Sequence, residues 1–127
     1  MKYLLDTHVV LWLALNSHML SEKAKTVLLD RNTEKYVSII SDWEIAIKLG
    51  TNKLSIVGGL PEFHKMVDDN GFSVLPISRN YLAQLADLPN HHKDPFDRLL
   101  VGTALAEGLT IITIDENINK YDVPCLW

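Results

Sequence analysis

The chain has 127 residues, with 12 Lys and Arg against 16 Asp and Glu, a formal charge of -4 with its 5 His residues neutral. A composition 47% hydrophobic and 22% charged excludes a disordered chain and describes one domain, residues 1–127, able to bury a sizeable core. The acidic balance excludes a surface that grips nucleic acid everywhere but leaves a local site open.

Tyr3 to Leu5 reads as a short strand ending at Asp6. A helix follows, with His8, Leu11, Trp12 and Leu15 on one face and Val9 and Leu13 on the other. This uncharged stretch, Val9 to Ser21, contains Asn16 and His18 and falls short of the ~20 apolar residues of a bilayer span. It lacks the cleavage pattern of a secretory leader as well. Ser21 caps a second helix carrying Ala24, Val27 and Leu28 at helical spacing. The β-branched run Tyr36 to Ile40 predicts a strand. Ser41-Asp42-Trp43-Glu44 has the pattern of a capping box, which starts a helix at Ser41 and runs it to Gly50.

Pro61 opens a further helix with Phe63 and Val67 on one face, and Phe72 to Ile77 reads as a strand. Ser78 to Leu88 is predicted helical with Leu82, Leu85 and Ala86 inward. After the polar loop Asn90 to Lys93, Asp94-Pro95 supplies both the cap and the first-turn proline of a helix that Gly108 ends. Leu109 to Ile114 is an apolar strand ending at Asp115, and Val123 to Trp127 is a last short one. Cys125 is the only cysteine, so no internal disulfide forms and a reducing cytoplasm suits the chain. Apolar strands alternating with helices imply a three-layer α/β/α sandwich around a mostly parallel sheet.

In that architecture four carboxylates reach one edge. Asp6 and Asp115 follow strands, while Glu44 and Asp97 fall at the third position of the helices after Ser41 and Asp94. Singly, each is explained at least as well by capping and by the helix dipole, and Glu44 also by an i,i+4 pair with Lys48. Together they repel by ~1–4 kcal/mol per close pair, a conflict that capping does not require and a cation removes. An oxygen-only donor set suits Mg²⁺ or Mn²⁺ better than zinc, for which the adjacent His91-His92 pair has the wrong spacing. Carboxylate-held magnesium points to phosphoryl chemistry. No phosphate-binding glycine loop is present, and Asp6-Thr7-His8 lacks the second acid of an Asp-x-Asp phosphotransferase motif. Lys48, Arg98, His91, His92 and Lys93 flank these acids as candidate phosphate contacts or as plain solvated charges. Setting the four acids aside leaves as many acids as bases in the rest of the chain.

The stretches Leu4-Leu5-Asp6-Thr7, Ser41-Asp42-Trp43-Glu44-Ile45-Ala46-Ile47-Lys48, Asp94-Pro95-Phe96-Asp97-Arg98-Leu99-Leu100 and Thr113-Ile114-Asp115 resemble the ordered acidic motifs of PIN domains. Among these the chain is most similar to VapC-type toxins of type II toxin-antitoxin pairs. The resemblance implies a Mg²⁺- or Mn²⁺-dependent endoribonuclease with Asp6, Glu44, Asp97 and Asp115 as its acidic, metal-holding site. It places Thr7, Asp94 and Thr113 in support of those acids. It also implies an antitoxin partner, often a homodimer, and RNA as substrate. The alternative is a module that binds a protein through its acidic groove and catalyses nothing.

Overall fold

The computed structural model describes residues 1–127, and its hydrophobic segments alternate between strand and helix from the start. Strand β1 (Lys2–Leu5) feeds α1 (Thr7–Ala14), then α2 (Glu22–Leu29), β2 (Glu34–Ser38) and α3 (Ile39–Gly50). Helix α4 (Gly59–Asp69), β3 (Ser73–Leu75), α5 (Arg79–Ala86) and α6 (Pro95–Glu107) follow. The chain closes with β4 (Thr110–Ile112), a 3-10 turn (Ile118–Lys120) and β5 (Cys125–Leu126). All strand pairs are parallel, in the order β3-β2-β1-β4-β5, so the expected mostly parallel sheet is wholly parallel. Parallel neighbours cannot be joined by hairpins, and the helices form the crossovers.

The period-two alternation of a strand divides the core into two layers. Tyr3 and Leu5 of β1 and Ile112 of β4 pack with Val9, Val10, Leu28, Phe63 and Val67. Leu4 and Ile111 face the other way, onto Leu99, Leu100, Ala104 and Tyr81. Helices therefore cover both faces of the sheet, as the apolar strands predict. Helices α5 and α6 meet at Gly102, where an added Cβ would lie 2.8 Å from the Tyr81 carbonyl oxygen. No helix is long and apolar enough to cross a membrane.

Several expectations from the sequence need correction. The strand predicted over Tyr36 to Ile40 ends at Ser38, whose hydroxyl accepts the Ile40 amide and caps α3. Ser41 is thus inside the helix, not its cap. Burial of Ile40 on the α6 side outweighs its strand preference. On α1, His8 is exposed and Leu15 lies beyond the helix, half exposed, while Thr7, Val9, Val10 and Leu11 are buried. On α5 the inward face is Tyr81 and Leu85, joined by Leu88 just beyond the helix, instead of Leu82 and Ala86, which are exposed. The aromatic ring takes the covered side, and its hydroxyl donates to Glu107 across 2.8 Å. The last three strands are shorter than predicted, ending at Leu75, Ile112 and Leu126.

Candidate active site

Asp6 ends β1 at the carboxyl edge of the sheet and is only 2% exposed. A carboxylate so buried needs a partner, and the Thr113 hydroxyl beyond β4 donates to its Oδ2 across 2.8 Å. The same hydroxyl accepts the amide of Asp115 at 3.0 Å. Asp115 lies three residues beyond β4, not directly at its end, and its Oδ1 accepts the amides of Asn117 and Ile118. Thr113 therefore links the two acids of neighbouring strand ends. Thr7, also buried, shares a 2.8 Å hydrogen bond with Ser41 and ties α1 to α3.

Because α3 starts at Ile39, Glu44 is its sixth residue, past the first turn where capping and the helix dipole act. Its buried carboxylate pairs with Lys48 at 2.9 Å. Asp97 lies in the first turn of α6, where Asp94 caps the amides of Phe96 and Asp97 with its own side chain. Asp94 is thus the helix cap. Asp97 Oδ2 is 3.3 Å from His92 Nε2.

The electrostatics join these positions. Burial, and after it the negative charges of Asp94, Asp6, Asp115 and Glu44, together push the Asp97 carboxyl up to about 8. Burial also raises Asp6, against the opposing Thr113 hydrogen bond, with Asp115 adding to the rise. The predicted acids thus share one field at one edge of the sheet. All four offer carboxylate oxygens, but no three of them close on a common ligating point. Instead each of the four has a protein partner: Thr113, Lys48, His92, or the amides after Asp115.

Of the candidate phosphate contacts, Lys48 is taken by Glu44, and Arg98 Nη1 donates to the Pro89 carbonyl and to the Tyr121 hydroxyl, each at 2.9 Å. The structure turns both toward the protein. Lys93 and His91 are exposed on the loop before α6, with the His91 ring edge-on to Tyr121. Sequence reasoning missed Tyr121 and offered His92 only as a candidate phosphate contact, since the two meet 29 residues apart with no local pattern to mark them. It also missed Asp42, raised by its burial and paired with His64 of α4 at 2.9 Å. Trp12 and Trp127 pack on each other, whereas Trp43 is exposed and rests edge-on against Phe96.

A wholly parallel α/β sandwich with clustered carboxylates at its strand ends defines a class of small acidic-site domains. The PIN domain model matches residues 3–124, and the chain belongs to that family. The structure of VapBC2 from Rickettsia felis, bound to a DNA fragment from its promoter, is similar with a TM-score of 0.74 and 18% identity over 100% of this chain and 99% of that one. VapBC-1 from nontypeable Haemophilus influenzae gives 0.73 and 16%, covering 99% and 97%. FitAcB from Neisseria gonorrhoeae gives 0.66 and 21%, covering 98% and 96%. No curated sequence relative matches.

Proposed function

We propose that this PIN domain is a divalent-metal-dependent endoribonuclease and the toxin of a toxin-antitoxin pair. The observation that carries the reading is the gathering of Asp6, Glu44, Asp97 and Asp115 at one edge of the sheet, where burial first and the neighbouring negative charges second raise the Asp97 carboxyl to about 8. Carboxylates concentrated in this way, with oxygen donors alone, fit Mg²⁺ or Mn²⁺. Asp6, Glu44, Asp97 and Asp115 would hold the ion. When bound, it would lower the pKa of a coordinated water and offset charge on a phosphodiester. Thr113 fixes one oxygen of Asp6 and so limits how that carboxylate turns. Lys48 holds Glu44 until a ligand replaces it. Lys93 is the exposed cation nearest in sequence to the α6 acids and the one we assign to incoming phosphate.

RNA as substrate follows from the resemblance to VapC-type toxins. The two similar VapBC structures support a protein antitoxin as partner, and we assign it to the acidic edge. A homodimer and a cytoplasmic setting complete the proposal. The test is cleavage of a defined RNA set by partner-free protein in Mg²⁺ or Mn²⁺ against chelator. Cleavage should leave 3'-hydroxyl and 5'-phosphate ends, and Asp6→Asn and Asp97→Asn should abolish it while remaining folded. Folded wild-type protein that cleaves nothing in either metal would instead be an acidic-groove binding module.

A further inference from the structure

Asp97 is met by a chain of side chains that the acidic motifs do not include. Arg98 Nη1 lies 2.9 Å from the Tyr121 hydroxyl, which lies 2.8 Å from His92 Nδ1, and His92 Nε2 lies 3.3 Å from Asp97 Oδ2. The polarity of this chain is fixed at its Arg98 end. A guanidinium only donates, so the Tyr121 oxygen accepts from it. Tyr121 is 4% exposed, and His92 is the only other partner of its hydroxyl. Its own proton must go to Nδ1, because the reverse arrangement would bury an unpaired O–H at a cost of ~1–3 kcal/mol. An imidazole that accepts at Nδ1 carries its proton on Nε2. That N–H points its hydrogen bond at Asp97.

We infer that His92 is a positioning residue for Asp97: held as the Nε2–H tautomer by Tyr121 and Arg98, it binds Oδ2 and leaves Oδ1 as the oxygen offered to a ligand. The arrangement has the logic of partners that orient a metal-binding side chain from behind. The His91 ring meets Tyr121 in a T-shaped arrangement at 4.8 Å and the Arg98 guanidinium lies over the Tyr121 ring at 5.9 Å, so both add to the contacts that hold Tyr121 in place. Arg98, half-buried, therefore acts on the site indirectly, through Tyr121 and His92.

The inference rests on Asp97 being a metal ligand, and two measurements keep that premise separate. Nitrogen-15 NMR of histidine-labelled protein, assigned with His92→Gln, should show a protonated Nε2 and a bare Nδ1 on His92. Tyr121→Phe should abolish that preference. An Nδ1–H ring, a doubly protonated ring at neutral pH, or a preference unchanged in Tyr121→Phe would overturn the relay. Mn²⁺ affinity is the second readout. His92→Leu should weaken it by roughly 10–100-fold, whereas His92→Gln, whose amide can accept from Tyr121 and donate to Asp97, should restore most of it. Unchanged affinity in His92→Leu, or equal loss in both variants, would overturn the positioning role. Wild-type protein that binds no Mn²⁺ would sink the nuclease reading, and the tautomer would then decide the relay alone.

Discussion

The hydroxyl of Thr113 donates to Asp6 across 107 residues of chain, closing the gap between two adjacent strand ends with a 2.8 Å hydrogen bond. Because the same oxygen accepts the Asp115 amide, one small side chain serves both acids. Thr113→Val keeps the shape and removes both interactions. It should destabilise the protein by ~1–3 kcal/mol in denaturant unfolding and weaken Mn²⁺ binding. Thr113→Ser should retain most of both, and a Thr113→Val protein with wild-type stability would show that the bond contributes little.

Glu44→Gln separates ligation from structure. Glu44 lies beyond the first turn of α3, so its loss removes no cap, and the pair with Lys48 is worth ~0.5 kcal/mol. Stability should therefore fall by less than about 1 kcal/mol, while metal-dependent cleavage should drop about 100-fold or more. Full cleavage by the variant would remove Glu44 from the site.

The pH dependence has a defined sign. Asp97 is raised from 3.8 to about 8, so the native state keeps a proton that the unfolded chain has released. Its stabilising contribution is complete below the unfolded value and disappears as pH rises through about 8. In chelator, the Tm should fall between about pH 5 and pH 8, each kcal/mol moving it by roughly 3–5 °C. Asp97→Asn should flatten this slope. Mn²⁺ should stabilise more as pH rises, because ligation requires the ionised carboxylate. A metal-free Tm that climbs over the same range would contradict the sign.

Gly102→Ala tests the packing beneath the Asp97 helix. Alanine in a helix is ordinarily better than glycine by up to ~1 kcal/mol. Here the new Cβ would sit 2.8 Å from the Tyr81 carbonyl and 3.2 Å from the Leu85 amide nitrogen, both backbone atoms of α5. The clash should outweigh the propensity gain, for a net loss of ~1–3 kcal/mol. A raised Tm would show that the two helices part easily.

The acids were legible in the sequence because each follows a strand or lies near the start of a helix, and period alone locates those junctions. Helix α3 shows where local rules compete. Ile39 and Ile40 have strand propensity and Ser41 to Glu44 spell a capping box, yet Ser38 is the cap, and the earlier start carries Ile40 into the helix with its side chain buried against the α6 layer. That shift also moved Glu44 out of the dipole's reach, a conclusion the motif itself argued against. The His92–Tyr121 contact had no local trace, since the loop before α6 meets the turn before β5 only after the sheet has formed. Long-range hydrogen bonds leave no period to read.

The position of β1 in the middle of the sheet has a temporal meaning. It leaves the ribosome well before its neighbour β4, and the hydroxyl that holds Asp6 follows that acid by 107 residues. A partly synthesised chain that has not reached Thr113 lacks both the last acid and the residue that aims the first. Such non-local pairing forms slowly and late. The Asp6–Thr113 bond therefore forms only after β4 has been made and has paired with β1.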